Sequence, residues 1–358
     1  MTHKHWVFVG GYGSSIETFG FDPASGALTS VALTENVPEA PTFLALDAQR
    51  RLLFAVSEKG GADTPEPGRA VSFRIDAATG RLTPLSDVWA GGSNAVAVSI
   101  SHSGRYLLTA SSSTAEGRVA VIPIGREGQL APPSDSRIAG KNAHGLAQSP
   151  NGEFVWVVCR GDESVAQYRL DEDAGKLLPL AVSHVFLPAP SGPRHIAAHP
   201  SQPVVYVLND WSGEVVSYRY GADGQLTAPR VLSVFPPGKA PRAVKGTMTA
   251  AEIEVSRDGK RVYASTRTPD CQSLAVLDAD AEGHLKLVAN ETARGLIHGP
   301  RHFISSQDNR FLLLANQDSD TLLAFGLDEA TGLPTLLGER ATPTRVSKPN
   351  ALAFGAFG

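Results

Sequence analysis

Two arginines, three histidines and a glutamate fall into register along this sequence. Short polar turns set the alignment: Pro150-Asn151-Gly152, Pro200-Ser201-Gln202, Arg257-Asp258-Gly259 and Gln307-Asp308-Asn309. Measured back from them, His144, Arg194, Ala251 and Arg301 share one position, and Gly145, His195, Glu252 and His302 share the next. The same two positions nearer the N-terminus hold Thr42, Phe43 and Val96, Ala97, none of them charged. Packing alone would treat the repeats alike, so the uneven distribution points to a ligand site. Imidazole takes and returns protons near neutral pH. Guanidinium binds carboxylate and phosphate through paired donors. The predicted chemistry is acid–base catalysis on an anionic small molecule. A metal held by His144, His195, Glu252 and His302 is disfavoured, because the adjacent arginines repel a dication, and no cofactor is expected.

The loops after the following strands add candidates at a matching place: Asn209-Asp210, Thr266-Arg267 and Asn316-Gln317. A longer insertion at 236–246 carries Lys239, Arg242 and Lys245, which reads either as a lid for an anionic group or as a solvated loop. No Gly-rich phosphate loop, His-Glu-x-x-His or Gly-x-Ser-x-Gly motif is present. Cys159 and Cys271 are the two cysteines and are expected to be free thiols, as in a reducing cytoplasm.

What positions these residues is a repeat. The phrase Gly-x-Leu recurs at Gly26, Gly80, Gly128, Gly175, Gly224 and Gly283, with a reduced copy at Gly332-Leu333. A second phrase, a small or Pro residue opening a short apolar strand, begins at Pro41, Asn94, Ala143, Pro193, Ala250, Pro300 and Pro349. The period is about 51 residues and no segment sustains a helical apolar spacing, which indicates an all-β, seven-bladed β-propeller. The seventh blade is expected to be split, with Asn350–Phe354 pairing against Trp6–Val9 and then Ile16–Phe21, so that residues 1–358 form one closed domain. A closed ring buries its own edges, so a monomer is expected. The 358 residues carry a net charge of −4, which gives no basic footprint for nucleic acid. No apolar run is long enough to span a membrane as a helix, and the strand-like start His5–Val9 is not read as a signal peptide.

The phrases Gly192-Pro193-Arg194-His195, Leu208-Asn209-Asp210, Thr249-Ala250-Ala251-Glu252-Ile253, Pro300-Arg301-His302-Phe303 and Ala315-Asn316-Gln317-Asp318 resemble the seven-bladed propeller lactonase family. That family includes propeller-type 6-phosphogluconolactonases and fungal carboxymuconate-lactonizing enzymes. The family often has Asn-Glu where this chain has Asn209-Asp210, and Asn where it has Met248. The resemblance implies metal-free opening or closing of a lactone, with His144, Arg194, Arg267 and Asp210 at the reaction centre. On that basis His144 is expected to act as base or acid, with Glu252 as the alternative base. Arg194 and Arg267 are expected to hold the substrate anion and the developing oxyanion. His195, Arg301, His302, Asn209, Asn316, Gln317 and Lys245 are expected to bind substrate. The expected substrate is an acidic sugar-derived lactone. The competing expectations are a cycloisomerase or hydrolase acting on a carboxylated muconolactone, and a binding propeller without catalysis.

Overall fold

Strands rich in β-branched and aromatic residues, such as Phe154–Cys159 (FVWVVC) and Val204–Asn209 (VVYVLN), are buried along their whole length. A strand buried on both faces needs a neighbour on each side, and the chain supplies it by stacking sheets face to face around an axis. The computed structural model describes residues 4–59, 66–342 and 346–357. They form seven four-stranded antiparallel sheets. The innermost strands are Pro41–Asp47, Ala95–Ile100, Ala143–Gln148, Pro193–Ala198, Ala250–Val255, Pro300–Ser305 and Ala351–Phe357, and blades 1 to 7 are numbered in that order.

Among the described residues the apolar core divides into seven clusters, one at each junction between blades. Trp156 of blade 3, for example, packs with Val205, Val207 and Tyr218 of blade 4. Blade 7 closes the ring: Ala351–Phe357 pairs with Lys4–Gly10 from Gly10 opposite Ala351 to Lys4 opposite Phe357. Ser15–Phe21 and Leu28–Glu35 complete that sheet, the latter an outer strand additional to those expected.

The Gly-x-Leu phrase is the turn leading into each blade's outermost segment, and its glycine docks on the preceding blade. Gly224 has φ +75°, and a Cβ there would lie 2.3 Å from the Phe154 ring. Its carbonyl accepts a hydrogen bond from Trp156 Nε1 at 3.1 Å, as the Gly283 carbonyl does from the Tyr206 hydroxyl.

The inner strands share one irregularity. In blades 1 to 6 the pairing with the second strand slips immediately after the first residue, between Pro41 and Phe43, Ala95 and Ala97, Ala143 and Gly145, Pro193 and His195, Ala250 and Ile253, and Pro300 and His302. A bulge of this kind re-aims side chains that strict alternation would send to opposite faces. His144, Arg194 and Arg301 are bulged residues. Arg194 and His195 are consecutive, yet both reach the neighbouring strand of blade 5, at Ala251 and Glu252.

Candidate active site

The bulges bring the expected residues of blades 3 to 6 to one end of the channel. Glu252, 6% exposed, stands between two histidines. His195 Nδ1 is 2.5 Å from Glu252 Oε1, and His302 Nε2 is 3.5 Å from Oε2. The His144 ring centre lies 5.2 Å from that of His195. Phe43, from the uncharged arc, packs edge-on against His195 and His302, the two imidazoles that flank the carboxylate. Gly145 is required here, because a Cβ would lie 2.7 Å from the Arg194 carbonyl oxygen.

Beside this cluster lies a charge network on the loops that follow the second strands. Asp210 is fully buried. Arg267 Nη2 donates to both its oxygens at 3.2 and 3.3 Å, and Arg160 Nη2 lies 3.3 Å from Oδ2. Thr249 N donates to the same carboxylate, and the Thr249 hydroxyl to the Asp210 carbonyl, which ties in the end of the 236–246 loop. Arg267 Nε is anchored on the Ala250 carbonyl. Arg194 is buried and bonded to the Ala251 carbonyl, and Arg301 is half-buried at the mouth. Sequence reasoning passed over Arg160, although the register that selects Asp210, Arg267 and Gln317 also selects it.

The remaining candidates divide. Asn209 is buried with an unpartnered side-chain oxygen, and Gln317 also holds an unpartnered buried oxygen. Asn316 is engaged by its own blade: its amide nitrogen donates to Leu296 O and Thr321 Oγ1, and its oxygen accepts from His298 N. Lys239, Arg242 and Lys245 are exposed, and Lys245 reaches the Trp211 ring at 5.7 Å. Met248 is also exposed. Cys159 and Cys271 are free thiols.

Burial dominates the protonation of the cluster. It raises Glu252 to about 7, against the opposing influence of His302 and of the Ile253 N–H. Burial lowers His195 to about 3 and His302 to about 4. His144 falls well below the usual imidazole range, first through burial and then through His195, Arg301, Arg160 and Arg267. The three imidazoles are therefore neutral at pH 7, and each keeps one buried nitrogen without a protein partner. Among the described residues, the one set of three ligand-type groups whose atoms converge within 4.8 Å is Asp280, Glu282 and His284, on an exposed hairpin.

These shifts predict acid sensitivity. Between pH 6.5 and 4.5 the unfolded chain protonates His195 and His302 while the folded chain does not. Each group then removes about 1.4 kcal/mol of stability per pH unit. Glu252 acts in the opposite sense, because its folded form takes a proton near pH 7 and its unfolded form only near 4.5. Two against one leaves an expected loss of about 3 kcal/mol across that window, to which His144, lowered in the same direction, adds. Urea unfolding at pH 6.5, 5.5 and 4.5 measures it, and a flat profile would mean that the imidazoles titrate normally.

The model of the seven-bladed β-propeller lactonase family matches residues 6–354. The chain belongs to that family. A 6-phosphogluconolactonase of Bacillus subtilis is 28% identical over 97% of this chain and 96% of its own length. Another, of Formosa agariphila, is 26% identical over 91% and 93%. The solved structure of the periplasmic gluconolactonase PpgL of Pseudomonas aeruginosa is 29% identical, covers 98% of this chain and 99% of its own, and superimposes with a TM-score of 0.84. The protein is thus a lactonase-family enzyme on a seven-bladed propeller, the recognition and fold that its repeats and phrases imply. Among the described residues no helix is long and apolar enough to cross a membrane.

Proposed function

We propose that the protein hydrolyses an acidic sugar lactone of the 6-phosphogluconolactone type, without a metal, and that Glu252 is the general base. The observation that carries this reading is a buried carboxyl hydrogen-bonded to His195 and flanked by His302, whose burial raises its pKa to about 7. A base is most effective when its pKa lies near the working pH. The proton role expected of His144 passes to Glu252, because burial and three nearby arginines leave His144 too weak a base.

In this reading ionised Glu252 takes a proton from water as the water oxygen bonds to the lactone carbonyl carbon. His195, neutral, donates Nδ1–H to the carboxylate and orients it. Arg267 and Arg301 stabilise the tetrahedral oxyanion. The intermediate collapses, the bond from carbon to the ring oxygen breaks, and the departing alkoxide takes the proton held by Glu252. Carboxylate and hydroxyl are the products, and one proton is released to solvent at neutral pH. The likeness to the 6-phosphogluconolactonases and the gluconolactonase supports the sugar-lactone class.

The test is acid release by purified protein at pH 7, corrected for spontaneous hydrolysis, with and without EDTA. The substrates are 6-phosphogluconolactone, gluconolactone and carboxylated muconolactones. Opening of the sugar lactones that survives EDTA is expected. Turnover of the muconolactones alone would replace this reading with lactone chemistry on aromatic breakdown products, and turnover of none would favour a binding propeller.

A further inference from the structure

Trp211 follows Asp210 directly, is 4% exposed, and packs so closely over Gly192 that a Cβ there would lie 2.4 Å from its ring. Two cations sit against this indole: Arg160 at 5.5 Å and Lys245 at 5.7 Å from the ring centre. An aromatic face attracts cations, and two on one ring gather positive charge at a fixed place. Arg160 and Arg267 share one carboxylate, Asp210, and Lys245 joins Arg160 on the indole without a carboxylate of its own among the described ion pairs. The acids next to Arg160 along the chain do not pair with its guanidinium, although they keep their charge: Asp162 accepts from Lys141 N, and Glu163 accepts from Ser191 N and Oγ.

Donors are also left over. Arg160 Nε and Trp211 Nε1 are buried and have no protein partner. An unpaired buried N–H costs free energy, and two beside the Arg160 and Lys245 cations form a ready cradle for acceptor oxygens.

We propose that Arg160, Trp211 and Lys245 form the subsite that receives a phosphate monoester on the lactone, and that Arg160 determines the preference for phosphorylated over unphosphorylated substrate. A phosphate monoester carries nearly two negative charges at neutral pH and three acceptor oxygens, which suits the paired Arg160 and Lys245 cations and the free donors; a carboxylate brings half of that charge. Asp210 is then a positioning residue that spaces Arg160 from Arg267, so that one guanidinium serves the substituent and the other the reaction centre. The inference rests on the lactonase reading above and adds the identity of the anionic group.

The experiment compares 6-phosphogluconolactone with gluconolactone in the parent, Arg160→Gln and Lys245→Gln proteins. The expected result is a fall of about 30-fold in the ratio of the two kcat/KM values for Arg160→Gln, carried by KM, and about 3- to 10-fold for Lys245→Gln. Lys245 is exposed, so its variant tests the subsite even if Arg160→Gln does not fold. A ratio unchanged in both variants, or equal losses on both lactones, overturns the proposal. A binding arm separates this failure from failure of the lactonase reading. Millimolar 6-phosphogluconate, but not gluconate, is expected to raise the melting temperature of the parent, and to do so less for each variant. If the parent opens neither lactone while that pattern holds, the subsite stands and the sugar-lactonase reading falls. If neither sugar acid stabilises the parent, the subsite falls as well.

Discussion

Glu252→Gln is expected to lower kcat on the preferred lactone by about two to four orders of magnitude, the range for loss of a general base. It is also expected to abolish the acid limb of the pH–rate profile. In the parent the reactive form is ionised Glu252, so kcat/KM should rise with pH and reach half its plateau near pH 7. Glutamine keeps the shape and one acceptor toward His195 but cannot take a proton. The same substitution should stabilise the fold above pH 7. Holding the carboxylate ionised in a buried site costs about 3 kcal/mol relative to the unfolded chain if its pKa rises from 4.5 to about 7, and the neutral amide removes that cost. Loss of activity with a gain in stability is what a strained catalytic group produces and a packing residue does not. Initial rates from pH 5.5 to 8.5, alongside thermal melts at pH 8, read both effects. A variant keeping more than a tenth of the activity with an unmoved limb would shift the base to another group, His144 first.

The propeller is legible in the sequence because each blade repeats the same demands. Gly224 and Gly283 stand where a turn must take positive φ against the preceding blade, and that need recurs in every repeat. The register that aligns Arg194 with Ala251 and Arg301, and His195 with Glu252 and His302, is legible for the same reason, since polar turns mark the far end of each inner strand. The contacts between blades are not. That Glu252 meets His195 and His302 depends on how far each bulge rotates its strand, and bulging is a property of a pair of strands rather than of one. The two histidines that flank Glu252 also pack on Phe43 of blade 1, three repeats before His195 and five before His302 in sequence. Arg160 escaped notice for another reason. It follows Cys159 rather than an Asn or Thr, so the loop phrase that marks Asn209-Asp210 and Asn316-Gln317 is absent there, although the position is the same.

Asp210→Asn should produce the largest loss of stability at the site. The carboxylate is fully buried and accepts from Arg267, while Arg160 stands 3.3 Å away, so its removal leaves two guanidinium groups facing each other without a counter-charge. Breaking a buried ion pair by removing one partner costs about 3–5 kcal/mol, because the charge left behind is uncompensated. At the unfolding entropy usual for globular proteins, that is a drop of roughly 4–7 °C in melting temperature. The asparagine oxygen can still accept from Thr249 N, so the loss belongs to charge more than to the loop anchor. Two further readouts separate a positioning role from a catalytic one. If Asp210 spaces the arginines, KM rises more than kcat falls and the limb near pH 7 stays in place, because that limb belongs to Glu252. If Asp210 is itself the base, the limb disappears. A double-mutant cycle with Arg160→Met completes the test. The double variant carries one unpaired arginine instead of two, so its loss should fall short of the sum of the single losses by more than about 1 kcal/mol. Additive losses would mean that Arg160 and Asp210 are neighbours without coupling, and the buried ion pair of Asp210 would have to be assigned to Arg267 alone.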